Sequence, residues 1–220
     1  MKLSKRLETV ASLVEDNKSI IDIGCDHALL SIYLYKTKKP KKIIASDNKK
    51  GPLEGAKSNI KKYKLEDKIK VKLGDGVDPI EDDIDTIIIS GMGGLTTVGI
   101  LKYKKEKFKN VDTIILSPNT DSDFVRKEVC KLGYYIDDEK LVEDGNFIYP
   151  IIKFKKGIRK YKKIEYILGP ILIKKKEDIF IKYLSNLKDT KEKVLSLLPR
   201  KYIKKKMRLK KELKEINKIF

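Results

Sequence analysis

Five short runs of β-branched and aliphatic residues constrain this chain most: Ser19–Ile23, Lys42–Ser46, Ile69–Leu73, Thr86–Ser90 and Thr113–Leu116. Each stops at a small or polar cluster. These clusters are Asp22-Ile23-Gly24-Cys25-Asp26-His27, Asp47, Gly74-Asp75-Gly76, Gly91-Met92-Gly93-Gly94 and Ser117-Pro118-Asn119. Segments of helical periodicity separate the runs: Ala28–Lys36, stopped before Pro40; Leu53–Tyr63, with Pro52 in its first turn; a stretch from Gly94 to about Tyr103; and Asp121–Leu132, closed by Gly133. Ahead of them Ser4 is positioned to cap a first helix, with Leu7, Val10, Ala11 and Val14 at helical spacing. Repeated strand–helix alternation predicts an α/β fold with a doubly wound, mostly parallel sheet and right-handed crossovers.

The pattern changes after Gly133. Tyr134–Val142 and Phe147–Phe154 flank the turn Glu143-Asp144-Gly145-Asn146 and read as an antiparallel hairpin on the sheet edge. Five parallel strands closed by a terminal hairpin make the Rossmann-like sheet of a class I methyltransferase, an arrangement unusual for nicotinamide-binding folds. Beyond Lys156 the chain reads as a second, helical domain, so the expected division is 1–156 and 157–220. Gly169-Pro170 marks a break. Ile179, Tyr183, Leu187, Val194 and Leu198 then form a helical stripe, Pro199 interrupts it, and Met207, Leu209, Leu213, Ile216 and Ile219 resume it. Two helices joined near Pro199 predict a coiled-coil-like hairpin.

Charge follows the same division. Met1–Pro150 holds 27 Lys and Arg against 25 Asp and Glu, a net of +2; Ile151–Phe220 holds 24 against 7, a net of +17. A codon preference for lysine would spread evenly, so the asymmetry points to a basic surface for a polyanionic partner. Two cysteines, Cys25 and Cys130, provide no disulfide framework and fit the cytoplasm. With a single histidine they also make a structural zinc site unexpected, and no metal is expected. The N-terminal residues lack an apolar signal core, and no uncharged run approaches membrane-spanning length.

The strand-end loops carry the chemistry. Gly24 permits a sharp turn beneath a ligand. A dinucleotide fingerprint would place further glycines where Asp26 and Leu29 stand, so pyrophosphate binding is disfavoured. Asp26 would repel a phosphate and attract an ammonium; it is also expected to cap the following helix. Asp22 interrupts an apolar strand at its loop end. Asp47 follows Gly24 by 23 residues, where a carboxylate accepts two hydrogen bonds from a ribose diol. Asp75 is an acceptor suited to an exocyclic adenine amine, and Gly91-Met92 lets backbone approach a ligand. Acidic loop tips suit a cationic nucleoside such as S-adenosylmethionine. The expected cofactor contacts are Asp22, Gly24, Asp26, His27, Asp47, Asn48, Asp75, Gly76, Gly91 and Met92. Asn119 offers donors and an acceptor for a base edge, and Cys25 reads as a small packed residue.

Taken in order, Leu3-Ser4-Lys5-Arg6-Leu7, Asp22 to Ala28, Gly51-Pro52, Gly74-Asp75-Gly76, Gly91-Met92-Gly93-Gly94, Pro118-Asn119, Glu143-Asp144-Gly145 and Gly169-Pro170 resemble the bacterial tRNA adenine-N1 methyltransferases of the TrmK family. The resemblance covers nearly the whole chain. It implies S-adenosylmethionine-dependent methylation of N1 of the adenine at tRNA position 22, and a class I methyltransferase domain followed by a coiled-coil domain. For the transfer itself, Asn119 with the Pro118 carbonyl is expected to orient the target adenine, and Asp26 and His27 are expected to border the transferred methyl or the methionine end. The basic helical tail, with Lys204, Lys205, Lys206 and Arg208, grips tRNA phosphates. The chain departs from the family where Leu29, Leu30 and Ser31 replace tyrosine and leucine-proline, where Asp47 replaces a frequent glutamate, and where Ser117 replaces a frequent glutamine. The residues alone leave open a methyltransferase acting on another RNA or on a protein, and a non-catalytic RNA-binding protein on the same fold.

Overall fold

The computed structural model describes residues 3–219. The chain divides after Arg159 into two compact units.

The first unit contains a seven-stranded sheet in the order β3-β2-β1-β4-β5-β7-β6. Its strands are β1 (Ser19–Ile23), β2 (Lys42–Asp47), β3 (Ile69–Leu73), β4 (Thr86–Ser90), β5 (Thr113–Ser117), β6 (Tyr134–Asp144) and β7 (Phe147–Lys156). The first five are parallel; β7 runs antiparallel to both β5 and β6. Isoleucines of β1, β2, β4 and β5 are wholly buried, as a sheet covered on both faces requires. The covering helices are α1 (Lys5–Ser12), α2 (Leu29–Lys38), α3 (Lys50–Lys62), α4 (Gly94–Lys102) and α5 (Ser122–Lys131). Ser4 caps α1 through the Leu7 N–H at 3.3 Å. Two charge clusters tie the hairpin down. Arg126 of α5 and Glu139 of β6 meet at 2.6 Å with no solvent exposure. Lys153 and Lys155 of β7 bond Glu15 at 2.7 and 2.8 Å and pull its carboxyl down to about 2.

The order reverses between β1 and β4, so their following loops leave in opposite directions and open a crevice at the carboxyl end of the sheet. Every candidate cofactor residue lies on a loop or strand end bordering that edge.

The second unit contains α6 (Lys163–Leu168), α7 (Pro170–Lys175), α8 (Asp178–Leu197) and α9 (Ile203–Asn217). The sequence pattern marks the break at Gly169-Pro170 but not the two short helices around it. Gly169, at φ +93°, ends α6, and Pro170 occupies the first position of α7. Helices α8 and α9 pair as a hairpin around Pro199, but the seam differs from the expected stripe. Phe180 and Leu184 are the buried residues of α8, one position beyond the half-buried Ile179 and Tyr183, and Leu187 and Leu198 are half-buried; on α9 Leu209, Leu213 and Ile216 are buried, whereas Val194 and Met207 are exposed. Lys191 reaches across to the buried Glu212 of α9 at 2.9 Å, so a charged residue holds a seam position that an apolar pattern cannot display.

Candidate active site

Two cavities share Gly24 at the switch point. One, of about 320 Å³, is lined by Arg6, Asp22, Gly24, Asp26, His27, Gly91 and Asp144 among others. The other, of about 390 Å³, is lined by Gly24, Asp47, Asn48, Asp75, Gly76 and Met92 among others. The ten expected cofactor contacts therefore all line one cavity or the other. The terminal methyl of Met92 lies directly over Gly24, and a side chain at residue 24 would have to displace it. Gly24 also holds φ at +74°, and it is this backbone conformation that favours glycine there.

Asp22, the penultimate residue of β1, is 3% exposed. One oxygen accepts from the Ser31 hydroxyl at 2.8 Å. Burial pushes its carboxyl up to about 6; the Ser31 bond opposes that shift and the charge of Asp47 adds to it. Ser31 stands where the resembling family carries proline, and in this chain it supplies the hydroxyl partner of Asp22. Asp47 accepts from the Lys49 N–H at 3.0 Å, a turn that aims its half-buried carboxylate over the second cavity. Asp75 and Asn48 are exposed at that cavity's rim.

The loop after β1 corrects one expectation. Asp26 does not cap α2: the capping position is Ala28, with no side-chain cap bond. Gly24, Asp26 and Ala28 all take positive φ, so the loop coils left-handed at alternate residues, and Asp26 falls two positions before the cap with its side chain exposed. At the non-glycine positions, Asp26 and Ala28, such conformations cost of order 1–3 kcal/mol each and concentrate at functional sites. His27 packs its ring on α3 at Gly55, its carbonyl accepts from Asn59 at 3.0 Å, and its Nε2 lies 3.8 Å from Asp26. Burial pushes the Cys25 thiol up, which keeps it a packed residue.

Asn119 follows β5. Its backbone N–H donates to the Met92 carbonyl at 2.8 Å, its Nδ2 donates to the Gly91 carbonyl at 2.7 Å, and its Oδ1 accepts from Arg6 at 2.7 Å. Pro118 beside it is buried. Arg6 is the site residue that sequence reasoning left without a role. Its Nε donates to Ser117 Oγ at 2.7 Å, a second nitrogen donates to the Ser117 carbonyl, and its guanidinium lies 4.0 Å from the centroid of Tyr149. Asp144 accepts from the Arg6 backbone N–H at 3.4 Å. Arg6 and Asp144 both stand in the motifs that carry the resemblance, and that placement was the available signal.

Lys204, Lys205, Lys206 and Arg208 lie on α9 of the second unit. Lys204 and Lys205 are exposed and Lys206 is half-buried, while the Arg208 Nε donates to Glu212 at 2.8 Å. Among the described residues no group of three His, Cys, Asp or Glu side chains converges to hold a metal ion, and no helix is long and apolar enough to cross a membrane.

Comparison with known proteins extends this geometry. A family model described as a methyltransferase domain matches residues 3–152. The chain is 34% identical over 189 residues to the tRNA (adenine(22)-N(1))-methyltransferase of Bacillus subtilis, covering 83% of this chain and 79% of that one. Among solved structures, it superposes with a TM-score of 0.90 and 30% identity on the S-adenosyl-L-methionine complex of a Streptococcus pneumoniae protein assigned as a tRNA (m1A22) methyltransferase, covering 99% of each chain. It superposes with a TM-score of 0.85 and 29% identity on M. capricolum TrmK in complex with S-adenosyl-homocysteine, covering 99% of this chain and 97% of that one.

Proposed function

Because the chain belongs to the TrmK family of methyltransferases, we propose that it transfers a methyl group from S-adenosylmethionine to N1 of the adenine at position 22 of tRNA. The observation that carries this reading is Asp22, a buried carboxylate with a hydroxyl partner and, among the described residues, no cation, facing a crevice bordered by further carboxylates. A buried charge left in that state fits a cationic ligand.

The cofactor supplies an electrophilic methyl on a sulfonium. Asp22 pairs with its ammonium group, Asp47 receives the ribose diol with Asn48 beside it, and Asp75 with Gly76 meets the adenine amine. Gly24, Gly91 and Met92 bring backbone and thioether close to the ligand. Adenine N1 is already nucleophilic, so the protein needs no strong base; its work is alignment and exclusion of water. N1 lies on the Watson–Crick edge, so the base must be unpaired and turned out of its stack. Asn119, with the Pro118 carbonyl, accepts from the target amine, and Asp26 and His27 border the methyl. In the second unit Lys204, Lys205 and Lys206 meet tRNA phosphates, with Arg208 alongside. A cytoplasmic location fits this substrate.

Mapping labelled methyl groups in tRNA by mass spectrometry tests the reading: the label is expected on N1 of one adenosine, and a label on another atom or none at all overturns it. Asn119→Ala should lower turnover by about a hundredfold or more and leave cofactor affinity intact by calorimetry. Unchanged turnover would remove Asn119 from the reaction.

A further inference from the structure

We infer that Arg6 is a positioning residue of this site: it locks the Asn119 carboxamide in one orientation and dedicates it to the N6–N7 edge of the target adenine. The inference rests on the methyl-transfer reading above.

The argument begins with the two neighbours of the amide. Arg6 has only donors and the Gly91 carbonyl only accepts. With Oδ1 on Arg6 and Nδ2 on Gly91, both at 2.7 Å, each contact is favourable. A flipped amide would set donors against the guanidinium and oxygen against the carbonyl. Arg6 cannot rotate to accommodate it. Its Nε and another nitrogen are bonded to the Ser117 hydroxyl and carbonyl, and Tyr149 lies against its face. A planar fork held at several points is a role lysine cannot copy.

Two valences of Asn119 then remain. Oδ1 has two lone pairs and Arg6 takes one; Nδ2 has two hydrogens and Gly91 takes one. The amide is left with one acceptor and one donor, and it is exposed. Adenine offers the complement in two places, N6–H with N7 or N6–H with N1. The second is closed by the chemistry, since the N1 lone pair must form the new bond to the methyl carbon. The N6–N7 edge leaves N1 unobstructed. It also rejects guanine, which presents acceptors at both O6 and N7.

The test compares a tRNA transcript carrying adenine at the target with one carrying 7-deazaadenine, which keeps the amine and N1 but lacks the N7 acceptor. Wild-type protein should lose roughly tenfold to a hundredfold in kcat/KM on the deaza transcript. Arg6→Ala should be slower on the native transcript, hold S-adenosylmethionine with unchanged affinity, and discriminate between the two transcripts several-fold less than the wild type, since the Gly91 carbonyl alone then orients the amide. Arg6→Lys should fall between them and serves where the alanine variant does not fold. Equal rates of wild type on both transcripts, or full discrimination retained without Arg6, overturn the inference. Failure of the methyl-transfer reading looks different, because the native transcript then gains no N1-methyladenine at all.

Discussion

Two carboxylates, one in each unit, are buried to nearly the same depth and treated in opposite ways. Asp22 is 3% exposed and Glu212 is 2% exposed. Asp22 has a hydroxyl for a partner, and burial raises its carboxyl to about 6. Burial alone would raise Glu212 as well, but Arg208 at 2.8 Å and Lys191 at 2.9 Å outweigh it and hold the carboxyl below its usual value, with Lys163 at 3.8 Å. A buried charge supplied with cations by its own chain is structural; one left for an outside cation marks a ligand site. The contrast separates what holds each unit together from what the crevice is for.

The sharpest way to break the contrast is Asp22→Asn. Asparagine keeps the shape and can still accept from Ser31, but it cannot neutralise an ammonium. Affinity for S-adenosylmethionine should fall by about a hundredfold or more. Thermal stability of the free protein should hold or rise, because the penalty of a buried carboxylate is gone. Titration calorimetry and a melting curve measure the two together, and a variant binding like the parent refutes the role of Asp22. Glu212→Gln should do the reverse. Cofactor affinity stays, and the helical unit loses about 1–3 kcal/mol, because glutamine keeps one acceptor oxygen but not the charge that Lys191 and Arg208 share. A circular-dichroism melt indistinguishable from the parent's would reduce Glu212 to an ordinary surface acid.

Much of this contrast was legible in the sequence, but unevenly. Strand ends and the acids at their tips can be read directly, because a β-branched run closed by Gly or Asp has few other meanings. Asp22 stood out as a charge inside an apolar strand. Its partner did not, since Ser31 sits in a helix nine residues on and only the β1–α2 turn brings the two together. Arg6 was further from view: its partners lie 111 and 113 residues away, and an arginine in a first helix carries no signal of them. The α8 stripe was legible in part: Ile179, Tyr183, Leu187 and Leu198 are half-buried and Val194 is exposed, while the bond of Lys191 to Glu212 is one that apolar periodicity cannot display. Asp26 failed as a cap because left-handed residues at alternate positions moved the helix start beyond it.

Acidity provides a gentler test of the same contrast. The charged form of Asp22 is the disfavoured one in the free fold, since its carboxyl is raised to about 6. The free protein should therefore lose stability as pH rises from about 4 to about 6, and Asp22 should add no further change above that. Binding of a cation runs the other way. Affinity for S-adenosylmethionine should fall by up to about tenfold for each pH unit below 6, with proton release on binding in that range. Calorimetry in buffers of different ionisation heat measures the proton directly. Asp22→Asn should flatten the profile; a profile that survives this change belongs to another group.

The smallest effect concerns cations spent and cations spare. Arg208 commits its Nε to Glu212, whereas Lys204 and Lys205 stand exposed one turn earlier on α9. Phosphate contacts release counterions, and each adds roughly 0.7–0.9 to the slope of log affinity against log salt. Reversing both charges (Lys204→Glu with Lys205→Glu) should lower the slope for tRNA binding by about 1.4–1.8 if each lysine meets one phosphate. Arg208→Gln should instead act mainly through stability, because its first obligation is to the buried glutamate. A slope untouched by the lysine reversals, yet lowered by the arginine change, would invert the assignment and make the ion-paired residue the one that meets the RNA.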